Sequence, residues 1–460
     1  MTNMQIEIIS KSCISPSSPT PPNLKTYKIS LLDQFQQSGY YSIILFYQNY
    51  SQQANVNTQR SFLFKQSLSE TLSRFYPFAG KIKDRFSIDC SDEGVCYVEA
   101  TSNVPLSQYL YQPDLRSFNI LVPNAIPEFE IPFGSPVALI QETTFACGGF
   151  TIGIYISHMV CDAYSLVLFL KDWAATASKS PSKPPLLDGE SIFPQYTAFP
   201  REVGSAIPYA SFLKTCKLIG KRIVFNESAI SNLKAKASLN NINNPTRVEV
   251  VIAILVKRLL ASFKSKTGIE KQLAVNYAVN LRQKGEPPLP ENLLGNFVRN
   301  VGIVFTFKEE LGELVNQLRE AIKRVDNDFL KKIKSGSGGE EGFVKCYNAV
   351  KEIGDLLFTA PPCGSEVMEL AFCSSHCNFG IYELDFGWGR PIWAAYALPY
   401  VDDSDKPYMN AILLTDTRIG KGVEAWVILG EDVYDFLDKD TELFQYASID
   451  PSPAIIMNKL

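Results

Sequence analysis

Hydrophobic and polar positions along the chain follow two rhythms, one near 3.6 residues and one of two. Phe62, Leu63, Leu68, Leu72 and Phe75 keep the first and predict an amphipathic helix over 60–75, stopped by Pro77 and Gly80. Short strand-like runs follow at 86–90 and 95–98. Between 150 and 157, Phe150, Ile152, Ile154 and Ile156 alternate with Thr151, Gly153, Tyr155 and Ser157, which predicts a half-buried strand. Leu166, Val167, Leu170 and Trp173 then share one side of a helix over 163–174. From 178 to 208 six prolines, from Pro181 to Pro208, break any helix and predict a long crossover. Beyond it lie helices at 246–263 and 309–332, a flexible break at 335–339, strands at 409–414 and 423–428, and a last helix at 432–444.

The Pro/Ser stretch at 15–22 reads as an extended surface strap. No internal repeat with a period of roughly 20–50 residues is present. Strands and helices alternate irregularly in both halves, so the expectation is two mixed α/β layers. A first domain spans 1–177, a crossover 178–220, and a second domain 221–460.

Composition narrows the class. With 46% hydrophobic and 20% charged residues the chain is globular rather than disordered. Its 44 Lys and Arg against 48 Asp and Glu leave a net charge of −4, without the basic excess of a nucleic-acid binder. No segment approaches the roughly 18 apolar residues of a membrane span. Residues 1–13 include Glu7 and Lys11 and do not read as a secretory signal. Ten cysteines scattered through a chain with ample core are expected to be reduced thiols, which suits a cytoplasmic protein. The sequons at Asn49 and Asn226 then stay idle.

Histidine is scarce: the chain has two, His158 and His376. His158 follows the alternating strand in Ser157-His158-Met159-Val160-Cys161-Asp162, at a strand-to-helix turn that can present a side chain into a cleft. It either satisfies a turn hydrogen bond or acts as a general base, since imidazole can take a hydroxyl proton and return it near neutral pH. Asp162 either orients that imidazole or turns away to pair with an arginine. A second unusual string, Asp385-Phe386-Gly387-Trp388-Gly389, reads as a tight structural turn around an indole. A buried Asp385 would need a cation, and Arg282 in Val279-Asn280-Leu281-Arg282 is a candidate.

Together these strings resemble the plant BAHD acyl-CoA-dependent acyltransferases. HxxxD stands at His158–Asp162 and DFGWG at Asp385–Gly389. Further matches are the 15–22 stretch with 27–34, the 75–81 run, Cys147-Gly148-Gly149, Gly295-Asn296, Asp416-Thr417-Arg418 and the 422–426 run. Nearly the whole chain is covered, and the likeness is strongest to the branch holding vinorine synthase and salutaridinol acetyltransferase. The resemblance implies an α/β fold of two chloramphenicol-acetyltransferase-like domains around a central solvent channel. It implies a monomer acting on a small-molecule alcohol, with acyl-CoA, and acetyl-CoA first among these, as co-substrate and no permanently bound cofactor. His158 becomes the general base and Asp162 pairs with Arg282. Asp385, Gly387, Trp388 and Gly389 are architectural. Thr246 either contacts CoA or merely caps its helix.

Two departures from the family pattern matter. Ala163 stands where many members have glycine. Ser374-Ser375-His376-Cys377 replaces a string in which a tryptophan is thought to donate to the oxyanion, so His376 either takes that role or fills space. A partial zinc site at Cys373, His376 and Cys377 lacks an obvious fourth ligand, and no metal is expected. The leading reading is an alcohol O-acyltransferase of specialised metabolism, with an alkaloid or terpenoid acceptor. An acyl-sugar acyltransferase, a non-catalytic binding protein on the same fold, and an enzyme of another reaction in the same channel are the alternatives.

Overall fold

The computed structural model describes residues 4–36, 39–49, 56–123, 131–198, 214–239, 242–334, 339–358, 368–397, 406–408 and 410–454. The end of the crossover at 199–208 and most of the break expected at 335–339 lie outside the described residues. Two large sheets use strands β1 (Ile6–Ile14), β2 (Tyr40–Tyr47), β3 (Val95–Ser102), β4 (Ala138–Thr144), β5 (Phe150–Ser157), β6 (Leu218–Phe225), β7 (Gln272–Asn280), β8 (Val298–Phe305), β9 (Met368–Ser375), β10 (Trp393–Ala395), β11 (Asn410–Asp416), β12 (Val423–Gly430) and β13 (Ser448–Ile449). The first sheet runs β1-β3-β4-β5-β2-β10 and the second β8-β7-β9-β11-β12-β6-β13. Both are mixed, with β3 parallel to β4 and β9 parallel to both β7 and β11.

Each sheet carries its own core. Helices α1 (Val56–Arg74) and α2 (Ala163–Ala177) lay Phe64, Leu68, Leu166 and Trp173 on the first sheet. Helices α3 (Arg247–Thr267) and α4 (Leu311–Lys323) lay Val251, Leu255, Leu314 and Leu318 on the second. The apolar periodicity that predicts these helices is the stripe they bury. The 15–22 strap runs along α1, held by Ser17 N–H to Ser69 O at 2.9 Å and Ser69 Oγ to Ser15 O at 2.7 Å.

The two halves exchange structure. Strand β10, far along the chain, closes the edge of the first sheet beside β2. Its Trp393 indole N–H reaches back to Glu424 of β12 at 3.3 Å and stacks on Trp426.

Three sequence expectations need correction. Strand β5 is buried on both faces rather than one. It lies between β4 and β2, and a Cβ at Gly153 would meet the Leu121 carbonyl oxygen at 2.0 Å, so its polar face is covered as well. The helix expected over 309–332 is two, Leu311–Lys323 and Asn327–Lys334, because Asp326 accepts from Phe329 N–H at 2.9 Å and starts a new helix. The last helix likewise divides into Glu431–Leu437 and Thr441–Phe444, where Asp440 takes the Glu442 and Leu443 N–H groups. Among the described residues no helix is long and apolar enough to cross a membrane.

Candidate active site

His158 occupies the turn between β5 and α2, its backbone N–H held by Gly39 O at 2.9 Å. The imidazole is enclosed by protein yet partly reachable by water, which puts it on an internal space rather than in packed core. The Tyr41 ring lies 4.9 Å away, centroid to centroid. Nδ1 is 3.0 Å from Asn296 Oδ1. The Asn296 amide orientation follows from its other partners: Nδ2 donates to Asp33 Oδ1 at 2.8 Å and to the His158 carbonyl at 2.8 Å. Both are acceptors, so Oδ1 must face the ring, and the ring proton must sit on Nδ1. Nε2 is left with its lone pair. Burial, opposed by the His158 backbone, Asp162 and Asn296, holds the imidazole pKa below its ordinary 6.5, so the ring is neutral at pH 7.

Asp33 anchors this relay from the first half of the chain. Its carboxylate caps the short helix Leu31–Gln34 through Ser30 and also takes the Asn296 backbone N–H at 2.7 Å. Burial, countered by the Ser30 and Asn296 hydrogen bonds, raises Asp33 to about 6, so it still accepts as an anion at neutral pH. Neither Asp33 nor Asn296 received a role from the sequence. Asn296 was visible only as part of a family string, and Asp33 only as one residue of another.

Asp162 does not touch His158. It caps α2 by accepting from Ser165 N–H at 2.8 Å, takes Phe297 N–H at 3.0 Å, and pairs with Arg282 Nη1 at 2.7 Å. Burial alone would raise this carboxyl, but the Arg282 guanidinium and these hydrogen bonds outweigh it and hold the pKa below the usual value. Arg282 is stacked against Tyr164 and Phe297 and also donates to Ser165 Oγ and the Gly295 carbonyl. The pair therefore fixes the His158 turn against the loop that carries Asn296. Ala163 is the first residue of α2 and is not among the positive-φ residues, so a side chain is tolerated there.

His376 follows β9 directly, its backbone N–H bound to Leu414 O. Its Nδ1 is 3.1 Å from the Tyr396 hydroxyl, and its ring stacks on Phe379 at 5.6 Å. Burial pushes its pKa down to about 4, with Asp162 opposing and His158 adding to the fall. The two imidazoles thus feel one another, and His376 is neutral at any physiological pH. Cys373 belongs to the second core cluster rather than to this space, and the described residues contain no group of three or more potential metal ligands.

The remaining candidates are architectural. Asp385 does not pair with Arg282, as one reading of the sequence held. Its Oδ1 accepts from Gly387 N–H at 2.8 Å and Gly389 N–H at 3.0 Å, so short-range donors satisfy it. Both glycines have positive φ, which the tight loop requires. Phe386 packs among Phe64, Trp173 and Tyr47, and Trp388 rests on Phe64, so the loop docks the second half of the chain onto the first core. Thr246 caps α3 in a capping box with Glu249.

A base with a bare Nε2, a buried Asp–Arg clamp and a docked DFGWG loop now stand on one frame. Residues 4–444 match the model described as the Transferase family. The chain is a BAHD acyltransferase. This BAHD enzyme is 40% identical over 464 residues to epi-neemfruitin B 7-O-acetyltransferase of Melia azedarach, covering 98% of this chain and 100% of the relative. It is 39% identical over 475 residues to limonoid 7-O-acetyltransferase of Citrus sinensis, covering 98% and 100%. Among solved structures, vinorine synthase superimposes with a TM-score of 0.78 at 31% identity, covering 98% of this chain and 100% of that one. The two-domain fold recurs at 16% identity in F. graminearum TRI101 complexed with coenzyme A and T-2 mycotoxin, with a TM-score of 0.71 over 92% and 99% of the two chains. The BAHD family makes this chain an O-acyltransferase.

Proposed function

We propose that this enzyme moves an acetyl group from acetyl-CoA to a hydroxyl of a plant specialised metabolite, a terpenoid or alkaloid alcohol, by general-base catalysis at His158. The observation that carries the reading is the tautomer: Asn296 holds the ring proton on Nδ1, so Nε2 is free to accept. The acceptor hydroxyl gives its proton to Nε2 as its oxygen attacks the thioester carbonyl. The tetrahedral intermediate collapses, the carbon–sulfur bond breaks, and the His158 imidazolium returns the proton to the departing thiolate. Atoms balance without an acyl-enzyme, so no cysteine is used and CoA leaves as free thiol. The co-substrate comes and goes, and no cofactor is held permanently. We place a CoA contact at the helix end that Thr246 caps, and divide the two domains at the 178–220 crossover. A cytoplasmic monomer completes the proposal.

The test is CoA release from acetyl-CoA, followed by a thiol reagent across an alcohol panel. Release is expected to depend on the acceptor, and the acid limb of kcat/KM is expected below pH 6.5. The sign follows from the lowered His158 pKa: the base is active when neutral and is lost only as pH falls through that lowered value. No release with any alcohol would leave a binding protein instead.

His376 is proposed as the oxyanion donor. In this role the Tyr396 hydroxyl, 3.1 Å from Nδ1, is the donor, which places the ring proton of the neutral imidazole on Nε2 as a preorganised N–H. His376→Ala is expected to lower kcat by about 10²-fold with the acetyl-CoA KM near wild type. An unchanged kcat would remove the donor role.

A further inference from the structure

The second sheet has two faces, and they are built differently. Val275, Tyr277, Val279, Ile412 and Leu414 point toward the helices and are buried in the second core. The alternate positions point the other way; Asn276, Glu424 and Trp426 among them are buried, while Gly302, Phe372, Ala411 and Leu413 remain partly open inside the molecule. The register lays one row of them across the sheet: Gly302 opposite Asn276, Asn276 beside Phe372, Phe372 beside Ala411, and Ala411 opposite Ile428. The next row holds Ala278 opposite Asn300, and Ser374 beside Leu413, which faces Trp426. His376 lies two residues beyond Ser374, so this face runs up to the reaction centre.

The face looks at the first half of the molecule rather than at bulk solvent. Leu413 and Ile428 pack against the first core, and Trp426 belongs to it. Gly302, Ala278 and Ala411 place very small side chains on a sheet surface that ordinarily carries bulky ones, and each is part-exposed. Phe372, Leu413 and Ile428 wall the resulting recess, also part-exposed. A partly open apolar recess with a few polar groups is the usual build of a small-molecule site. Ser374 and Asn300 supply those polar groups; their backbones belong to the sheet, and neither side chain has a hydrogen-bond partner among the described residues.

Charge limits what fits. The buried Glu424 of this face is paired with Arg222 at 3.2 Å and accepts from the Trp393 indole. Asp162 is committed to Arg282, and Asp33 to Ser30 and Asn296. These three carboxylates are thus committed to partners within the protein, and an unpaired charge is expensive to bury.

We infer, building on the acyl-transfer reading above, that this recess holds the acceptor and selects a neutral, largely apolar polycyclic alcohol of the terpenoid kind over an alcohol carrying a protonated amine. The test compares size-matched neutral terpenoid alcohols and tertiary-amine alkaloid alcohols at pH 7, by CoA release from acetyl-CoA with the wild-type enzyme. The neutral set is expected to show kcat/KM at least about tenfold higher. Ala411→Trp, filling the recess, is expected to raise the acceptor KM by about tenfold or more while the acetyl-CoA KM holds. Leu413→Asp, adding a carboxylate, is expected to narrow the preference against amines. Amine acceptors that match or exceed neutral ones in the wild type would overturn the inference and leave the acyltransferase reading standing. An unchanged acceptor KM in Ala411→Trp would do the same. No CoA release with either set would overturn both.

Discussion

Replacing Arg282 by methionine is expected to remove about 3–5 kcal/mol of folding stability, and acyl transfer with it. The two side chains of the Asp162–Arg282 pair are only 4% and 2% exposed, so the surviving carboxylate would be a buried, uncompensated charge. Compare Arg116 and Asp114, also paired but 57% and 49% exposed; water screens that pair, and it is worth about 0–1 kcal/mol. The loss would also reach the site. Arg282 holds the Gly295 carbonyl, and Asp162 holds the Phe297 N–H, so the pair brackets Asn296 and through it the His158 tautomer. Adding Asp162→Asn to Arg282→Met is expected to recover part of the stability, because no charge is then stranded and the new amide oxygen can still accept from Ser165 N–H and cap α2, although Phe297 N–H loses its acceptor. Denaturant unfolding of the single and double variants checks this. A single variant within about 1 kcal/mol of wild type would show that the pair is not the clamp described here.

Much of this arrangement was legible beforehand, and what was not has a common cause. The helical stripes of α1, α2 and α3 are local periodicities, so they could be read off directly. His158 and Asp162 were visible as a spaced pair at a strand-to-helix turn, and the DFGWG string as a tight turn. The family resemblance then supplied the Asp162–Arg282 pairing that spacing alone left open. Asn296 and Asp33 carry no such local mark. Their partners lie 138 and 263 residues away, and an asparagine after a glycine looks like any loop residue. For Asp385 the tight-turn reading stood beside a candidate ion pair with Arg282; two N–H groups of its own loop, within four residues, satisfy the carboxylate, so the turn is formed and the distant pair is not. The passage of β10 into the first sheet was also hidden, since a three-residue strand such as Trp393–Ala395 gives too short a pattern to name its neighbour.

The second large effect concerns the base itself. His158→Ala removes the group that takes the acceptor proton, and general-base catalysis contributes roughly 10²–10⁴-fold. Stability is expected to change little beside that, because the His158 backbone contacts to Gly39 and Asn296 do not need the ring. Asp162 cannot stand in, since it faces Arg282, and His376 is held by Tyr396. The decisive measurement is therefore single-turnover acetyl transfer by folded His158→Ala protein with saturating acetyl-CoA and acceptor. A fall of at least about 10²-fold, with the melting temperature preserved, is the predicted result. Ester formed at the wild-type rate would contradict the central claim.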